Sequence, residues 1–88
     1  MNRNKFEIIA NILDAIGNGS TRTKIMYKSF LPYVMLMEYL HLLEKNDLVA
    51  RQKSERIYKV TEKGRRYLEH YNASDCMVMV SVRKKNAS

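Results

Sequence analysis

The chain has little of what most catalytic or metal sites require. Its 88 residues include one cysteine, Cys76, and two histidines, His41 and His70. A lone cysteine closes no internal disulfide, and these three side chains fall short of the four ligands of a structural zinc site. Nucleophilic catalysis needs a nucleophile, a base and a group that orients the base, and no spacing here suggests such a set. No glycine-rich phosphate cradle is present either. The reading is therefore no enzyme, no cofactor, no metal and no small-molecule ligand, with His41 and His70 as surface histidines. Proline occurs once, glycine three times and tryptophan never, and there is no low-complexity tract, so nothing marks a linker between domains. No apolar run approaches the roughly 18 residues that cross a bilayer. The opening MNRNKFEIIANILDAIG is amphipathic, unlike the continuous apolar stretch of a signal peptide, which points to the cytoplasm. Acidic residues are also scarce: nine Asp and Glu face sixteen Lys and Arg, for a net charge of +7. Such a field favours phosphate polymers or anionic membrane surfaces.

What the chain does contain is enough apolar matter for one core, at 45% hydrophobic and 28% charged residues. A domain of this size buries only about 60 to 65% of its unfolded surface, so a second subunit is an expected supplement. Residues 1–72 read as the folded domain and 73–88 as a dimerisation and basic tail segment.

The first helix runs from Arg3 to Ile16, where Phe6, Ile9, Leu13 and Ile16 recur at helical spacing and line one face. Ile8 and Ile12 widen the stripe beyond half the circumference, which predicts that they meet a second subunit. Gly17-Asn18-Gly19 ends the helix, because these residues accept a left-handed backbone. Ser20 or Thr21 then caps a second helix, Arg22 to Ser29. It turns Ile25 and Met26 inward and Arg22, Lys24 and Lys28 outward. Pro32 suits the first turn of a third helix, with Leu36, Tyr39, Leu40 and Leu43 buried and Val34, Met37, Glu38, His41 and Lys45 on the far side. Two helices joined by so short a turn have a helix-turn-helix outline.

Beyond Asn46-Asp47 the pattern becomes strand-like. Residues 48–53 and 57–60 read as a β-hairpin with the polar tip Ser54-Glu55-Arg56. Thr61 caps a fourth helix, with Glu62 in its first turn and Leu68 and Tyr71 on its inner face. Gly64 within that helix costs about 1 kcal/mol relative to alanine, which implies that another backbone lies close. Residues 76–82, CMVMVSV, are β-rich and apolar and read as a strand. The heptad spacing of Leu68, Tyr71, Asp75, Val78 and Val82 leaves a continued helix as the alternative. In either form the segment is expected to meet a second subunit rather than water.

Three blocks, TRTKIMYKSFL (21–31), YLHLLEKNDLV (39–49) and YKVTEKGRRYL (58–68), resemble the small archaeal winged-helix proteins related to the ten-kilodalton chromatin-associated proteins and to short viral regulators. The resemblance covers roughly residues 3–72. It implies an α+β, mainly α, winged helix-turn-helix fold: a three-helix core, a hairpin wing and a fourth helix. It also implies double-stranded DNA binding by a homodimer, with the third helix in the major groove and the wing over the minor groove or backbone. On that frame Arg22, Lys24, Lys28, Lys45, Arg51, Lys53 and Arg56 are candidates for phosphate contacts, which supply affinity but no sequence information. Tyr33, Val34, Met37, Glu38 and His41 are the candidates at the bases: Val34 and Met37 suit thymine methyls, Glu38 a cytosine amine and Tyr33 a phosphate. Candidates for the dimer contact are Ile8, Ile12, Tyr71, Cys76, Val78, Val80 and Val82. The archaeal likeness adds a Cys76 to Cys76 bridge as an alternative to a buried thiol. The departure from these relatives is the segment after Asn72, so their dimer geometry is not carried over. Weakly specific architectural binding and a protein-interaction domain are the competing readings. A membrane reading of Arg83-Lys84-Lys85 lacks the amphipathic basic helix it would need.

Overall fold

The structure is a computed structural model and describes residues 3–83, with side chains described through Asn72. Its order is α1 (Lys5–Ile16), α2 (Arg22–Ser29), α3 (Tyr33–Lys45), β1 (Val49–Gln52), β2 (Ile57–Val60) and α4 (Glu62–Arg83). α1, α2 and α4 begin where a side-chain oxygen satisfies a free amide. Asn4 accepts from the Glu7 amide at 2.7 Å, and Thr21 Oγ1 accepts from the Lys24 amide at 3.3 Å. Pro32 stands at the N-cap of α3, one residue before the helix, and offers no side-chain cap. Arg3, expected within the first helix, lies outside it. Its guanidinium donates to the carbonyls of Ser29 at 2.8 Å and Phe30 at 3.2 Å, closing the C-terminal end of α2 where cations are favoured.

α1 is the central element, packed by α2, α4 and β2. Its Ile8, Ile9, Ile12, Leu13 and Ile16 join Ile25, Leu36, Leu40, Leu43, Val49 and Tyr58 in one core. This corrects the expectation that Ile8 and Ile12 face a second subunit: they are 5% and 0% exposed within the single chain. A helix apolar over most of its surface is one surrounded by its own domain as readily as one at an interface. Phe6, expected inside, is instead 61% exposed at the edge of the α1 and α4 packing.

The hairpin pairs Val49 with Val60, Ala50 with Lys59, Arg51 with Tyr58 and Gln52 with Ile57. A third, one-residue rung joins it. The Ser20 amide donates to the Tyr58 carbonyl at 3.1 Å, and the Tyr58 amide donates to the Ser20 carbonyl at 2.8 Å. Ser20 Oγ, donating to the Ile16 carbonyl at 3.1 Å, fixes that rung to the end of α1. The start of α2 is thereby held beside the wing.

Thr61 Oγ1 accepts from the Gly64 amide at 3.0 Å and donates to the Asp47 carbonyl at 2.6 Å, clamping the start of α4 to the α3–β1 turn. Gly64 is the close approach that its sequence position implies, since a Cβ there would lie 2.1 Å from the Leu48 carbonyl oxygen. α4 then continues as helix through Arg83, which corrects the strand reading of residues 76–82. Strand propensity is weak and dependent on context, whereas an existing helix gains one hydrogen bond for each residue added. The side chains of Cys76, Val78, Val80 and Val82 lie outside the described residues. Among the described residues, no helix is long and apolar enough to cross a membrane.

Candidate nucleic-acid interface

The rung at Ser20 sets one wall of a cleft and the hairpin sets the other. Arg22, Arg51, Lys53, Arg56 and Tyr58 line this cleft, whose volume is about 280 Å³. Arg51 stands opposite Tyr58 in the register, so both share a face of the hairpin. The turn that follows carries Arg56 with φ +55° and is closed by the Arg56 amide donating to the Lys53 carbonyl at 3.2 Å. Tyr58 is only 2% exposed. No hydrogen bond engages its hydroxyl among the described residues.

The charges of the cleft contrast with those of α4. Arg65 pairs with Glu62 and with Glu69, the latter at 3.5 Å, and Arg66 lies 3.6 Å from Glu62. The hydrogen bond and charge of Arg65 hold the Glu62 carboxyl below its ordinary value, and Glu62 in turn raises Arg65. Among the described residues, all ion pairs lie on α4 and no carboxylate lines the cleft. Four cations converging without an anion leave a local positive potential that a phosphate would neutralise.

Arg22 links this cleft to α3. Its Nη1 donates to the Tyr33 hydroxyl at 3.2 Å and to Met37 Sδ at 3.9 Å. At about 100° per residue, Tyr33 and Met37 flank the outer face of α3 on the wing side, and Val34, Glu38, His41 and Lys45 lie across its centre, opposite the buried Leu36, Leu40 and Leu43. Tyr33 and Val34 are 53% and 67% exposed. Glu38, His41 and Lys45 are exposed and Met37 is half-buried. Glu38 shares a groove with Lys5, Tyr39 and Leu42, while His41 and Lys45 share another with Glu44 near the end of the helix.

The other candidates for phosphate contacts, Lys24, Lys28 and Lys45, do not line the cleft. Lys28 lines a separate depression with Arg3, Asn11 and Asp14, against α1. Lys24 is exposed on the side of α2 away from the core, and Lys45 ends α3. Two features of the site escaped the sequence reading. The Arg22 contacts to Tyr33 and Met37 join residues eleven and fifteen positions apart and have no local signal. Tyr58 was accessible from the hairpin register, which puts it across from Arg51.

A second surface lies between α1 and α4, where Phe6, Tyr67, His70 and Tyr71 line an apolar groove. The Tyr67 hydroxyl donates to the Phe6 carbonyl at 3.5 Å. Burial, with a smaller contribution from Tyr71, raises the Tyr67 phenol above its ordinary value.

Comparison with known proteins agrees with this geometry. No curated protein sequence matches the chain. Among solved structures, the chain is similar to the crystal structure of Sso10a-2, a DNA-binding protein from Sulfolobus solfataricus, at 26% identity and a TM-score of 0.69. That similarity covers 92% of this chain and 98% of the other. A family model for the winged helix-turn-helix matches residues 2–78. With the three-helix core, the hairpin wing and the cationic cleft between them, this match means that the chain belongs to the winged helix-turn-helix family.

Proposed function

We propose that the protein binds double-stranded DNA as a homodimer and acts as a sequence-specific transcriptional regulator, cytoplasmic and associated with the nucleoid. The observation that carries this reading is the cleft of four uncompensated cations, made continuous by Arg22 with the exposed strip of α3. The DNA-binding character of the similar Sulfolobus protein supports it. In this reading α3 enters the major groove, where Val34 and Met37 meet thymine methyls, Glu38 accepts from a cytosine amine, and His41 reads an adjacent base. Tyr33 marks the groove edge. Arg51, Lys53 and Arg56 take the phosphates beside it, with the wing over the backbone or minor groove. The homodimer is assigned to α4, where Tyr71 and the heptad positions Val78 and Val82 share the helix.

The outer face of α3 favours a second reading, architectural binding with weak specificity, because it mixes apolar, acidic and aromatic side chains and contains no arginine. Selection of bound sequences from a random duplex pool at near-physiological salt separates the two. An enriched palindrome supports the regulator, and retention without enrichment supports the architectural protein. No retention favours a protein-interaction domain. If three to five basic residues of each subunit sit on phosphates, a dimer makes roughly six to ten such contacts. Log affinity then falls with log salt at about 0.9 per contact. An affinity nearly independent of salt contradicts the proposal.

A further inference from the structure

The commonest base-specific contact in a major groove is an arginine fork on guanine O6 and N7. α3 contains no arginine, and its one lysine, Lys45, is its last residue. The fork has another source. Arg22, on the first turn of α2, is exposed and extends to the outer face of α3, where Nη1 meets the Tyr33 hydroxyl and Met37 Sδ. Both hydrogens of Nη1 are thereby used. Nε–H and Nη2–H have no partner among the described residues, and these two parallel donors form the edge that recognises a planar pair of acceptors.

We propose that Arg22 reads a guanine with this Nε and Nη2 edge, and that Tyr33 and Met37 position it. The inference rests on the DNA-binding reading and refines it by moving Arg22 from the phosphate contacts to the base contacts. A phosphate is satisfied by any cation at the right depth. It does not require that one guanidinium nitrogen be committed to two side chains of the reading helix. The wing already supplies Arg51, Lys53 and Arg56 on the opposite wall of the cleft. Base reading does require a fixed fork, and two contacts that order the side chain in advance reduce the entropy lost on binding.

The test is the duplex selection carried out on the unmodified protein, Arg22→Lys and Tyr33→Phe, followed by titration against the best site at several salt concentrations. Arg22→Lys preserves the charge, so the salt dependence is expected to stay unchanged. The guanine column is expected to disappear, with affinity for the guanine-containing site falling roughly ten- to a hundredfold. A site lacking that guanine loses little. Tyr33→Phe keeps the ring but removes the hydroxyl that holds Nη1, and is expected to weaken the same column and no other. Unchanged sequence preference in Arg22→Lys, or an equal loss of affinity for every duplex, makes Arg22 a phosphate contact and overturns the proposal. So does retention of DNA by the unmodified protein without enrichment. If the unmodified protein retains no duplex, the DNA-binding reading itself fails, and that outcome is visible before any variant is compared. An unchanged far-ultraviolet circular dichroism spectrum separates loss of recognition from loss of fold.

Discussion

At the scale of single residues, the tightest constraint in the fold is Gly64. A methyl group there would lie 2.1 Å from the Leu48 carbonyl oxygen and 2.8 Å from Val60 Cγ1. The first of these atoms is backbone and cannot rotate away. Alanine would gain about 1 kcal/mol of helix propensity, yet overpacking of this kind costs typically 1–3 kcal/mol or more. Gly64→Ala is therefore expected to destabilise the protein, seen as a lower denaturation midpoint with an unchanged slope; a raised midpoint contradicts the packing. The helical pattern with a misplaced glycine is visible in the sequence, and so is its meaning. The role of Arg3 is not, because an arginine before a helix carries no mark that it will cap another helix 26 residues later. Glu62 gives a smaller expectation. Its carboxyl is held below its ordinary value in the folded chain, so the stability it lends is present at neutral pH and is lost as pH falls through that depressed value. The group is exposed to solvent and the effect correspondingly slight. Glu62→Gln should lower the melting temperature slightly in neutral buffer and leave it unchanged in strongly acidic buffer.

At the scale of elements, the helices and the hairpin are legible because each has periodicity and punctuation of its own. The connections that build the site are less so. A one-residue strand such as Ser20 has no alternation to detect, although its pairing with Tyr58 sets α2 against the wing. Likewise the four basic residues of the cleft and Lys28 look equivalent in sequence, and only the packing of α2 on α1 turns Lys28 toward Asp14 and Arg3. That separation makes a prediction. Reversing a cleft charge, as in Arg51→Glu or Arg56→Glu, is expected to weaken binding to all duplexes alike. It should also make the salt dependence shallower by about 0.9 for each phosphate that is no longer neutralised. Lys28→Glu, an equal change in net charge, is expected to leave that slope nearly unchanged. Equal effects of the two reversals would mean that overall charge, and not the cleft, governs binding. Residues 76–82 depart from their sequence reading for a related reason: their composition favours a strand locally, while their register continues α4.

At the scale of the whole molecule, the described core draws on all four helices and both strands. Among the described residues, the core cluster and the apolar residues packed on it run from Ile8 to Leu68. In the homodimer proposed above, the apolar sequence 76–82 on a helix running to Arg83 supplies the contact between subunits, and Tyr71, half-buried beside Phe6 and Tyr67, begins it. Removing residues 74–88 is expected to give a monomer by sedimentation equilibrium that keeps the helical signal of the core. Its affinity for a palindromic site should fall by far more than its affinity for a single half-site. The reason is geometric: a dimer holds two reading helices about 34–36 Å apart, one turn of DNA, so binding of the first half-site presents the second at high effective concentration. Separate domains forfeit that advantage although each still grips its own half-site. A truncated protein that remains dimeric with unchanged affinity would move the subunit contact to the Phe6, Tyr67 and Tyr71 groove. In that case Tyr71→Glu, which places a charge on an apolar surface, should break the dimer that truncation did not.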